Sequence, residues 1–345
     1  MTGLIFLINL SYLVDRIPNT APIIAPLSEN VARVKWAVMI PVFNCSQYLS
    51  ETLKSVLQQD PGAEVMQIEV VDDCSNDANV EELVKQIGNG RITYFKQSEN
   101  VGSLRNFETC INRSRGTYVH LLHGDDRVKD GFYKTMDSLF RVYPAADAAF
   151  CAWDYINENG EFLRTSKKES NQDGLLENCF HTITMGQMTQ YVSTVVKRHV
   201  YEKLGSFYAV TYGEDWIMWA RIAKEYKFAY TPEALADYRE HSTSISGQSR
   251  VNGEDIRDIK KVSAIISSLM PANKRRTAAE VICKNYAYWS LEQLYKLWFE
   301  TDDITLITKH LKQQLKGYKD IKVIALMSKL WFLTIKWRIN KMLGI

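Results

Sequence analysis

Short apolar runs alternate with amphipathic stretches in the first part of the chain, and the two patterns have different periods. The apolar runs predict buried strands at residues 34–42, 66–71, 92–96 and 118–122. Apolar positions at helical spacing predict helices at residues 47–59, 80–87 and 104–113. Ser46 stands directly before the first helix and is its expected N-cap. Strands that alternate with helices favour an α/β fold with a mostly parallel, Rossmann-like central sheet.

The pattern changes twice further along the chain. Helices are predicted at residues 132–143 and 217–226. Further strands are predicted at residues 148–155, 191–197, 227–230 and 235–239. From residue 255 onward the periodicity is helical throughout. We therefore expect three regions: an N-terminal segment and linker at 1–33, a main α/β domain at 34–250, and a C-terminal helical region at 251–345.

Polar side chains follow three of the predicted strands. Asn44 follows the first strand, Asp72 and Asp73 the second, and Asp125 and Asp126 the fourth. In a parallel sheet, ligands bind beyond the carboxyl ends of the strands. Two adjacent carboxylates at the end of a buried strand are costly unless a positive charge lies near them. A divalent cation that carries phosphates would supply this charge. The pattern leaves a second interpretation open, in which the three polar segments are only turns exposed to water.

Composition narrows the possible functions. The chain has 345 residues, a formal net charge of +2 and 46% hydrophobic residues, so no global positive field argues for nucleic acid. The six cysteines are scattered and form no CxxC pair, which favours reduced thiols in a cytosolic protein. No GxGxxG motif follows the first strand, and no GxxxxGK[ST] motif occurs. Dinucleotide-dependent oxidoreductases and P-loop enzymes are therefore disfavoured.

Both ends of the chain carry conspicuous apolar residues. Residues 4–14 lack a charged start and a small-residue cleavage site, so they are a poor signal peptide. They predict a short packed element or a membrane-touching segment, and three prolines between residues 18 and 26 indicate a linker after it. Residues 321–343 mix Leu, Ile and Trp with Lys and Arg. Such a helix lies on an anionic bilayer or packs on the body with its lysines in water, and no run reaches the roughly 18 apolar residues of a spanning helix.

Glu214 and Asp215 form a second acidic pair, directly before the helix predicted at residues 217–226. A carboxylate in this position can deprotonate the hydroxyl group of an acceptor. Acidic residues at a helix N-terminus are also favoured by the helix dipole alone. The pair by itself does not decide between these two interpretations.

A series of short motifs connects these features. They read PVFN at 41–44, DDCSND at 72–77, NVGS at 100–103 followed by Arg105 and Asn106, GTY at 116–118, HGDD at 123–126, GED at 213–215 and YREH at 238–241. With these motifs in this order and spacing, the chain resembles the family 2 glycosyltransferases over residues 34–246. The resemblance implies the A-type glycosyltransferase fold and transfer of a sugar from a nucleotide-sugar donor, most commonly a UDP-sugar, usually with inversion.

The same resemblance implies roles for individual residues. Asp215 would be the general base, and Glu214 would orient it or the acceptor. Asp125 would bind a divalent metal, Mn²⁺ or Mg²⁺, as part of the family's DxD motif, and His241 would assist at the metal or the diphosphate. The implied nucleotide-binding residues are Pro41, Asn44, Asp72, Asp73, Arg105, Asn106, His123 and Gly124.

One residue departs from the family pattern. The first position of the DxD motif is usually Asp, and in this chain it is His123. A neutral imidazole can still bond a ribose or bind a metal, so we expect activity, but the substitution leaves the metal preference open.

Three hypotheses remain at this stage. The first is an inverting glycosyltransferase that acts on a glycan or lipid-linked acceptor in cell-envelope polysaccharide synthesis. It would work in the cytoplasm at the inner face of the membrane, with peripheral contact through the C-terminal basic helices. The second is a catalytically silent relative that binds a nucleotide-sugar or a glycan; such a relative would more often have lost Asp125 or Asp215. The third is a nucleotidyltransferase, which is disfavoured because no basic, glycine-rich phosphate loop follows Val42.

Overall fold

The computed structural model describes residues 16–301, 304–314, 318 and 320–343. The apolar segment at residues 4–14 lies outside the described residues. The chain divides into two compact units. The first ends at His241 and the second begins at Ser242, except that the stretch His181–Gln187 belongs to the second unit.

A ten-stranded sheet forms the centre of the first unit. Its strands are β1 (Val34–Val42), β2 (Met66–Asp72), β3 (Thr93–Lys96), β4 (Gly116–Leu121), β5 (Arg127–Val128), β6 (Ala146–Ile156), β7 (Phe162–Thr165), β8 (Gly174–Leu175), β9 (Thr194–Lys197) and β10 (Lys227–Arg239). Their order is β3-β2-β1-β4-β9-β6-β10-β5, with β7 beside β6 and β8 beside β10. Strands β1 to β4, β6 and β10 run in one direction, and the shorter β5, β7, β8 and β9 oppose them. The predicted α/β class with a mostly parallel sheet is confirmed.

Strand β1 lies between β2 and β4 and is parallel to both. Every residue of β2 is buried, as are all those of β1 except Lys35, which explains why both strands read as nearly continuous apolar runs. The backbone continues the pairing past the strand ends, since the N–H of Asp73 donates to the carbonyl of Val42 at 2.8 Å. The N–H of Gly124 likewise donates to the carbonyl of Pro41 at 3.3 Å. Because β1, β2 and β4 are parallel, the polar loops that follow these three strands lie at the same edge of the sheet.

Seven helices alternate with these strands along the described chain: α1 (Ser46–Leu57), α2 (Val80–Gly88), α3 (Ser103–Arg113), α4 (Phe132–Val142), α5 (Cys179–Met185), α6 (Arg198–Leu204) and α7 (Glu214–Glu225). From His181 onward, α5 belongs to the second unit. The expected N-cap of α1 was wrong. The helix begins at Ser46 itself, and the N–H of Ser46 donates to Asp77 Oδ2 at 2.9 Å. The cap therefore comes from the loop after β2, a contact that local sequence does not reveal.

Strand β10 is longer than its two predicted parts. The sequence predicted strands at 227–230 and 235–239, separated around Pro232. The structure contains one strand of 13 residues, whose register with β6 shifts between Thr231 and Ala234. Because proline lacks an N–H, it interrupts the ladder as a bulge without ending the strand. The strand predicted at 191–197 is in turn shorter, since its first residues form a 3₁₀ turn, Tyr191–Ser193.

The second unit is helical, as predicted for the C-terminal region. Its helices are α8 (Ile245–Asn252), α9 (Glu254–Ser268), α10 (Arg275–Thr301), α11 (Ile304–Gln314) and α12 (Ile321–Leu343). Its core joins three of them through Ala287, Leu291, Leu294, Ile307, Leu311, Val323, Met327 and Leu330. Among the described residues, no helix has both the length and the apolar character needed to cross a bilayer. All six cysteines are free thiols.

Candidate active site

Asn44 and Asp72 shape the loops at the ends of β1 and β2. Asn44 has a left-handed backbone, φ 49°, a conformation that asparagine tolerates. Its N–H donates to Ser75 Oγ at 3.1 Å, and its Oδ1 accepts from the N–H of Asn76 at 2.9 Å. Asp72 is fully buried, and its carboxylate accepts from the N–H of Ser75 at 2.9 Å and from the hydroxyl of Tyr94 at 2.7 Å. Both side chains therefore hold the backbone of the pocket in place.

Asp73 joins the end of β2 to the start of α3. Its Oδ1 accepts from the N–H of Val101 at 2.7 Å, and its Oδ2 accepts from the N–H of Gly102 and from Asn100 Nδ2, each at 2.9 Å. Burial raises the pKa of Asp73 to about 6, although the two backbone N–H bonds oppose that rise. A carboxylate can accept about four hydrogen bonds, so three protein donors leave room for one donor from a ligand.

Arg105 and Asn106 lie side by side on α3 but have different surroundings. Asn106 is 2% exposed, donates to the carbonyl of Val71 at 2.9 Å, and accepts from Gln97 Nε2 at 3.2 Å. Arg105 keeps part of its side chain exposed and forms an ion pair with Glu108 at 2.8 Å. Of the two, Arg105 is the side chain that retains access to solvent, whereas Asn106 braces the helix against β2.

Gly124 allows the loop after β4 to approach β1 closely. A Cβ atom at this position would lie 2.9 Å from Cys45 Sγ and 3.0 Å from Val42 Cγ2. Contacts this short require a neighbour to move, so only glycine fits without displacement. Together with the hydrogen bond to Pro41, this contact fixes the loop that carries the acidic pair.

A cluster of three potential metal ligands follows β4. One ligand atom from each of His123, Asp125 and Asp126 lies within 4.8 Å of the other two. Two carboxylates and an imidazole suit Mn²⁺. Mg²⁺ prefers oxygen ligands, so it would rely on the two carboxylates. The Nε2 atom of His123 is buried and has no hydrogen-bond partner in the part of the chain that the structure describes. This orphaned polar atom and the donor set both fit a bound divalent cation.

His241 and the neighbouring charges set the protonation of the acidic pair. His241 Nε2 donates to Asp125 Oδ2 at 2.9 Å. Burial alone would raise the pKa of Asp125, but the hydrogen bond from His241 opposes burial, and the pKa of Asp125 is lowered. Burial and the charge of Asp125 raise the pKa of Asp126. Burial also lowers the pKa of His123, which keeps its imidazole neutral.

Arg239 fixes the acidic loop from the end of β10. Its backbone N–H donates to Asp126 Oδ1 and its Nε donates to the carbonyl of Asp125, each at 2.8 Å. Its Nη2 bonds Glu51 Oε2 at 2.9 Å, and its guanidinium lies 4.6 Å from the centre of the Tyr48 ring. Arg239 is 2% exposed, so it acts as a buried brace. It belongs to the YREH motif, but the sequence alone did not single it out.

Glu214 and Asp215 form the first turn of α7, and both are buried. Asp215 Oδ1 accepts from the N–H of Trp216 at 2.7 Å. Glu214 Oε1 accepts from the hydroxyl of Tyr191 at 3.1 Å. The Tyr191 ring also lies 4.3 Å from the ring of His123, measured between centroids. Tyr191 thus connects the acidic pair of α7 to the cluster after β4.

No sequence signal pointed to Tyr191, because it stands in a short 3₁₀ turn outside every motif. Burial, followed by the charges of Glu214 and Asp215, raises its pKa well above the ordinary value, so its hydroxyl stays protonated. The structure therefore brings the predicted residues into three groups, and Tyr191 joins the second of them to the third. These are the pocket around Asp73, the cluster from His123 to Asp126 with His241, and the pair at the start of α7.

Comparisons with known proteins agree with this geometry. Residues 37–201 match the family described as glycosyl transferase family 2. An uncharacterized glycosyltransferase of Methanocaldococcus jannaschii is 27% identical over 199 residues, which are 56% of this chain and 66%, just under two thirds, of that protein. A putative teichuronic acid biosynthesis glycosyltransferase of Bacillus subtilis, TuaG, is 23% identical over 61% of this chain and 81% of that one.

A solved structure extends the likeness to the fold. The crystal structure of residues 1–349 of S. aureus TarS in complex with UDP-GlcNAc superposes with a TM-score of 0.60. The match covers 89% of this chain and 88% of the TarS chain at 16% sequence identity. At this identity the likeness concerns the fold, and it confirms the predicted A-type architecture.

Proposed function

We propose that this chain, which belongs to glycosyltransferase family 2, transfers a sugar from a nucleotide-diphosphate donor to a hydroxyl group of an acceptor, with inversion. The observation that carries this proposal is the cluster of His123, Asp125 and Asp126 at the carboxyl edge of the sheet. Tyr191 contacts both that cluster and Glu214, which supports a donor side and an acceptor side that adjoin one another. A site with both sides is what a displacement reaction requires.

The donor is proposed to be a UDP-sugar. Asp73 has one remaining acceptor position for the N–H of a base, and Arg105 has a partly exposed cation beside the same loop. Asn44, Asp72, Asn106, Pro41 and Gly124 would shape the pocket through the backbone. The complex of S. aureus TarS with UDP-GlcNAc supports this choice of donor, since that protein shares the fold.

A divalent cation, Mn²⁺ or Mg²⁺, would be held by Asp125 with His123 and Asp126, and His241 would orient Asp125 through its hydrogen bond. Such a cation stabilises the developing charge on the departing diphosphate. Arg239 holds the loop from behind, so the carboxylates are positioned before the donor arrives. This preorganisation lowers the cost of aligning the ligands.

The acceptor side uses Asp215 as the proposed general base. Its carboxylate takes the proton of the acceptor hydroxyl while the acceptor oxygen forms a bond to the anomeric carbon of the sugar. The bond from that carbon to the diphosphate breaks on the opposite face, and its electron pair leaves with the nucleotide diphosphate. Glu214, held by Tyr191, would orient Asp215 or the acceptor.

The acceptor is proposed to be a glycan or a lipid-linked saccharide of a cell-envelope polysaccharide. The B. subtilis relative that is named for teichuronic acid biosynthesis supports this context, since the match covers 81% of it. Lipid-linked acceptors are presented at a membrane, so we propose that the chain works in the cytoplasm at the inner face of the cell membrane.

A donor-hydrolysis screen tests the proposed function. Purified full-length protein is incubated with a panel of nucleotide-sugars and with Mn²⁺ or Mg²⁺, and released nucleoside diphosphate is measured. We expect hydrolysis of one UDP-sugar that depends on metal and is lost in Asp125→Asn. Tight binding of a nucleotide-sugar without hydrolysis in any condition would instead identify a catalytically silent relative.

A further inference from the structure

Helix α12 (Ile321–Leu343) is apolar on two opposite faces. One face packs in the core of the second unit through Val323, Met327 and Leu330. The residues of the other face are exposed: Ile321, Ile324, Phe332, Ile335, Ile339, Met342 and Leu343. Ile321 is 88%, Phe332 67% and Met342 78% exposed, so these side chains have little cover. An exposed apolar patch of this kind indicates an interaction surface.

The exposed apolar residues lie along one stripe, which Ser328 interrupts between Ile324 and Phe332. At about 100° per residue, Ile321, Phe332, Ile335 and Ile339 fall within a narrow sector of the helical wheel. The buried residues fall on the opposite side of the same wheel. The stripe therefore runs nearly the whole length of α12, and the contacts of α12 within the core leave it uncovered.

Basic residues border this stripe. Lys322, Lys329 and Lys336 are exposed and repeat every seven residues along one edge, and Arg338 is exposed on the other edge. The ammonium groups of Lys322 and Lys329 also lie 5.4 Å from the centres of the Tyr288 and Tyr295 rings, so they would reach headgroups by leaving these rings. The sequence from 321 to 343 contains no Asp or Glu. An apolar stripe between cationic borders is complementary to a surface that is negatively charged outside and apolar beneath.

This charge pattern discriminates between two possible occupants. Exposed apolar residues with alternating spacings of four and three can also form the seam of a coiled coil with a second copy of the chain. In such a pair the positions that flank the seam face each other. Lys322, Lys329 and Lys336 would then meet lysine, arginine or uncharged residues, and no acid would compensate them. The cationic borders thus disfavour a second copy and favour an anionic partner.

We propose that the exposed stripe of α12 docks on an anionic lipid bilayer, with Phe332, Ile335 and Ile339 entering the interface and the lysines contacting headgroups. This inference deepens the membrane-proximal role proposed above. It rests on that proposed function for one point only, which is that the docked protein meets a lipid-linked acceptor. The docking itself rests on the exposure and the charge of α12. Each basic residue near an anionic surface strengthens binding about fivefold, so the three lysines together contribute on the order of 100-fold.

Vesicle co-sedimentation of the full chain tests this proposal. The vesicles consist of phosphatidylcholine alone or of phosphatidylcholine with phosphatidylglycerol. The first variant carries Lys322→Glu, Lys329→Glu and Lys336→Glu, and the second carries Phe332→Ser and Ile335→Ser. A matched control carries three charge reversals at exposed lysines of the first unit, Lys54→Glu, Lys167→Glu and Lys203→Glu.

We expect the native chain and the matched control to sediment with anionic vesicles only. The lysine variant should lose binding by about 100-fold or more. The Phe332→Ser and Ile335→Ser variant should also lose binding, because two apolar side chains no longer enter the interface, and circular dichroism should be unchanged in both. Donor hydrolysis in solution should be equal in all four proteins. If the native chain docks on vesicles but hydrolyses no donor, the proposed function is overturned and the docking proposal stands.

Three results would overturn the docking proposal. The first is a native chain that stays in the supernatant with anionic vesicles. The second is equal binding to neutral and anionic vesicles. The third is a dimer in light scattering that Phe332→Ser and Ile335→Ser convert to a monomer, because the occupant of the stripe would then be a second copy of the chain.

Discussion

Replacing Tyr191 by Phe removes a single oxygen atom from the contact between the two halves of the site. The hydroxyl of Tyr191 donates to Glu214 Oε1 at 3.1 Å, whereas its ring lies 4.3 Å from His123 and 5.7 Å from Trp219. Phenylalanine keeps the ring and its packing. The variant therefore isolates the hydrogen bond from the aromatic contacts around His123.

The magnitude follows from the kind of bond that is lost. A hydrogen bond to a charged group contributes about 1.5–3 kcal/mol, and each 1.36 kcal/mol corresponds to about tenfold in rate. If Glu214 orients the base or the acceptor, kcat should fall roughly 10- to 150-fold, while the KM for the donor stays within about twofold. Because the pKa of Tyr191 is raised, its hydroxyl donates at every pH used, and the deficit should not depend on pH between about 6 and 9.

Steady-state kinetics with varied donor and acceptor separate the effect on kcat from the effect on KM, and isothermal titration with UDP measures nucleotide affinity. Tyr201→Phe is a suitable control, because Tyr201 is also buried and also contacts the Phe207 ring, whereas the hydroxyl that bonds Glu214 Oε1 is that of Tyr191. Equal losses of kcat and of UDP affinity in Tyr191→Phe would refute the reasoning. A twofold or smaller effect on kcat, or the same deficit in Tyr201→Phe, would refute it as well.

Three further predictions address other parts of the site. Asp215→Asn should lower transfer by a factor of about 10² to 10⁴ with UDP affinity in calorimetry unchanged, and joint loss of both would contradict the assignment of the base. Gly124→Ala should destabilise the fold by about 1–3 kcal/mol in urea unfolding, since its Cβ would meet Cys45, while Gly174→Ala, whose Cβ meets nothing within 4 Å, should not. UDP affinity should fall as the pH drops below about 6, where Asp73 gains a proton and becomes a weaker acceptor for the N–H of a base, and Asp73→Asn should abolish this dependence. A dependence that persists in Asp73→Asn would exclude Asp73 as its source.

The sequence predicted the parts of the site that depend on local pattern. Asp73 and Asp125 each follow a buried strand, and parallel strands end at a common edge, so their proximity could be inferred before any contact was known. Asp215 is different, because its place before a helix left two interpretations open, and only the resemblance to the family 2 glycosyltransferases implied the role of a base. Periodicity also predicted the α/β class and the helical C-terminal region, because burial on one or two faces of an element sets the spacing of its apolar residues.

The parts that the sequence did not predict depend on contacts between distant residues. Asp77 caps α1 from another loop, so the expected cap at Ser46 was wrong. Arg239 braces Asp125 and Asp126 from the last strand, and nothing in its own neighbourhood marks it as buried. The place of Tyr191 in the site follows only from its contacts with Glu214 and His123. Two strands were predicted at 227–230 and 235–239, whereas a bulge between Thr231 and Ala234 lets β10 continue as one strand.

The surroundings of His123 explain how a histidine can stand where the family usually has an aspartate. Its ring stacks on Phe107 at 5.1 Å with an interplanar angle of 18°, and Tyr191 covers it from another side. A third carboxylate in this aromatic slot would be desolvated and would repel the adjacent acids, whereas a neutral imidazole packs well and repels nothing. The ring still leaves Nε2 without a hydrogen-bond partner among the described residues. The cluster therefore keeps three potential ligands while it carries one negative charge fewer, which is consistent with a retained cation site.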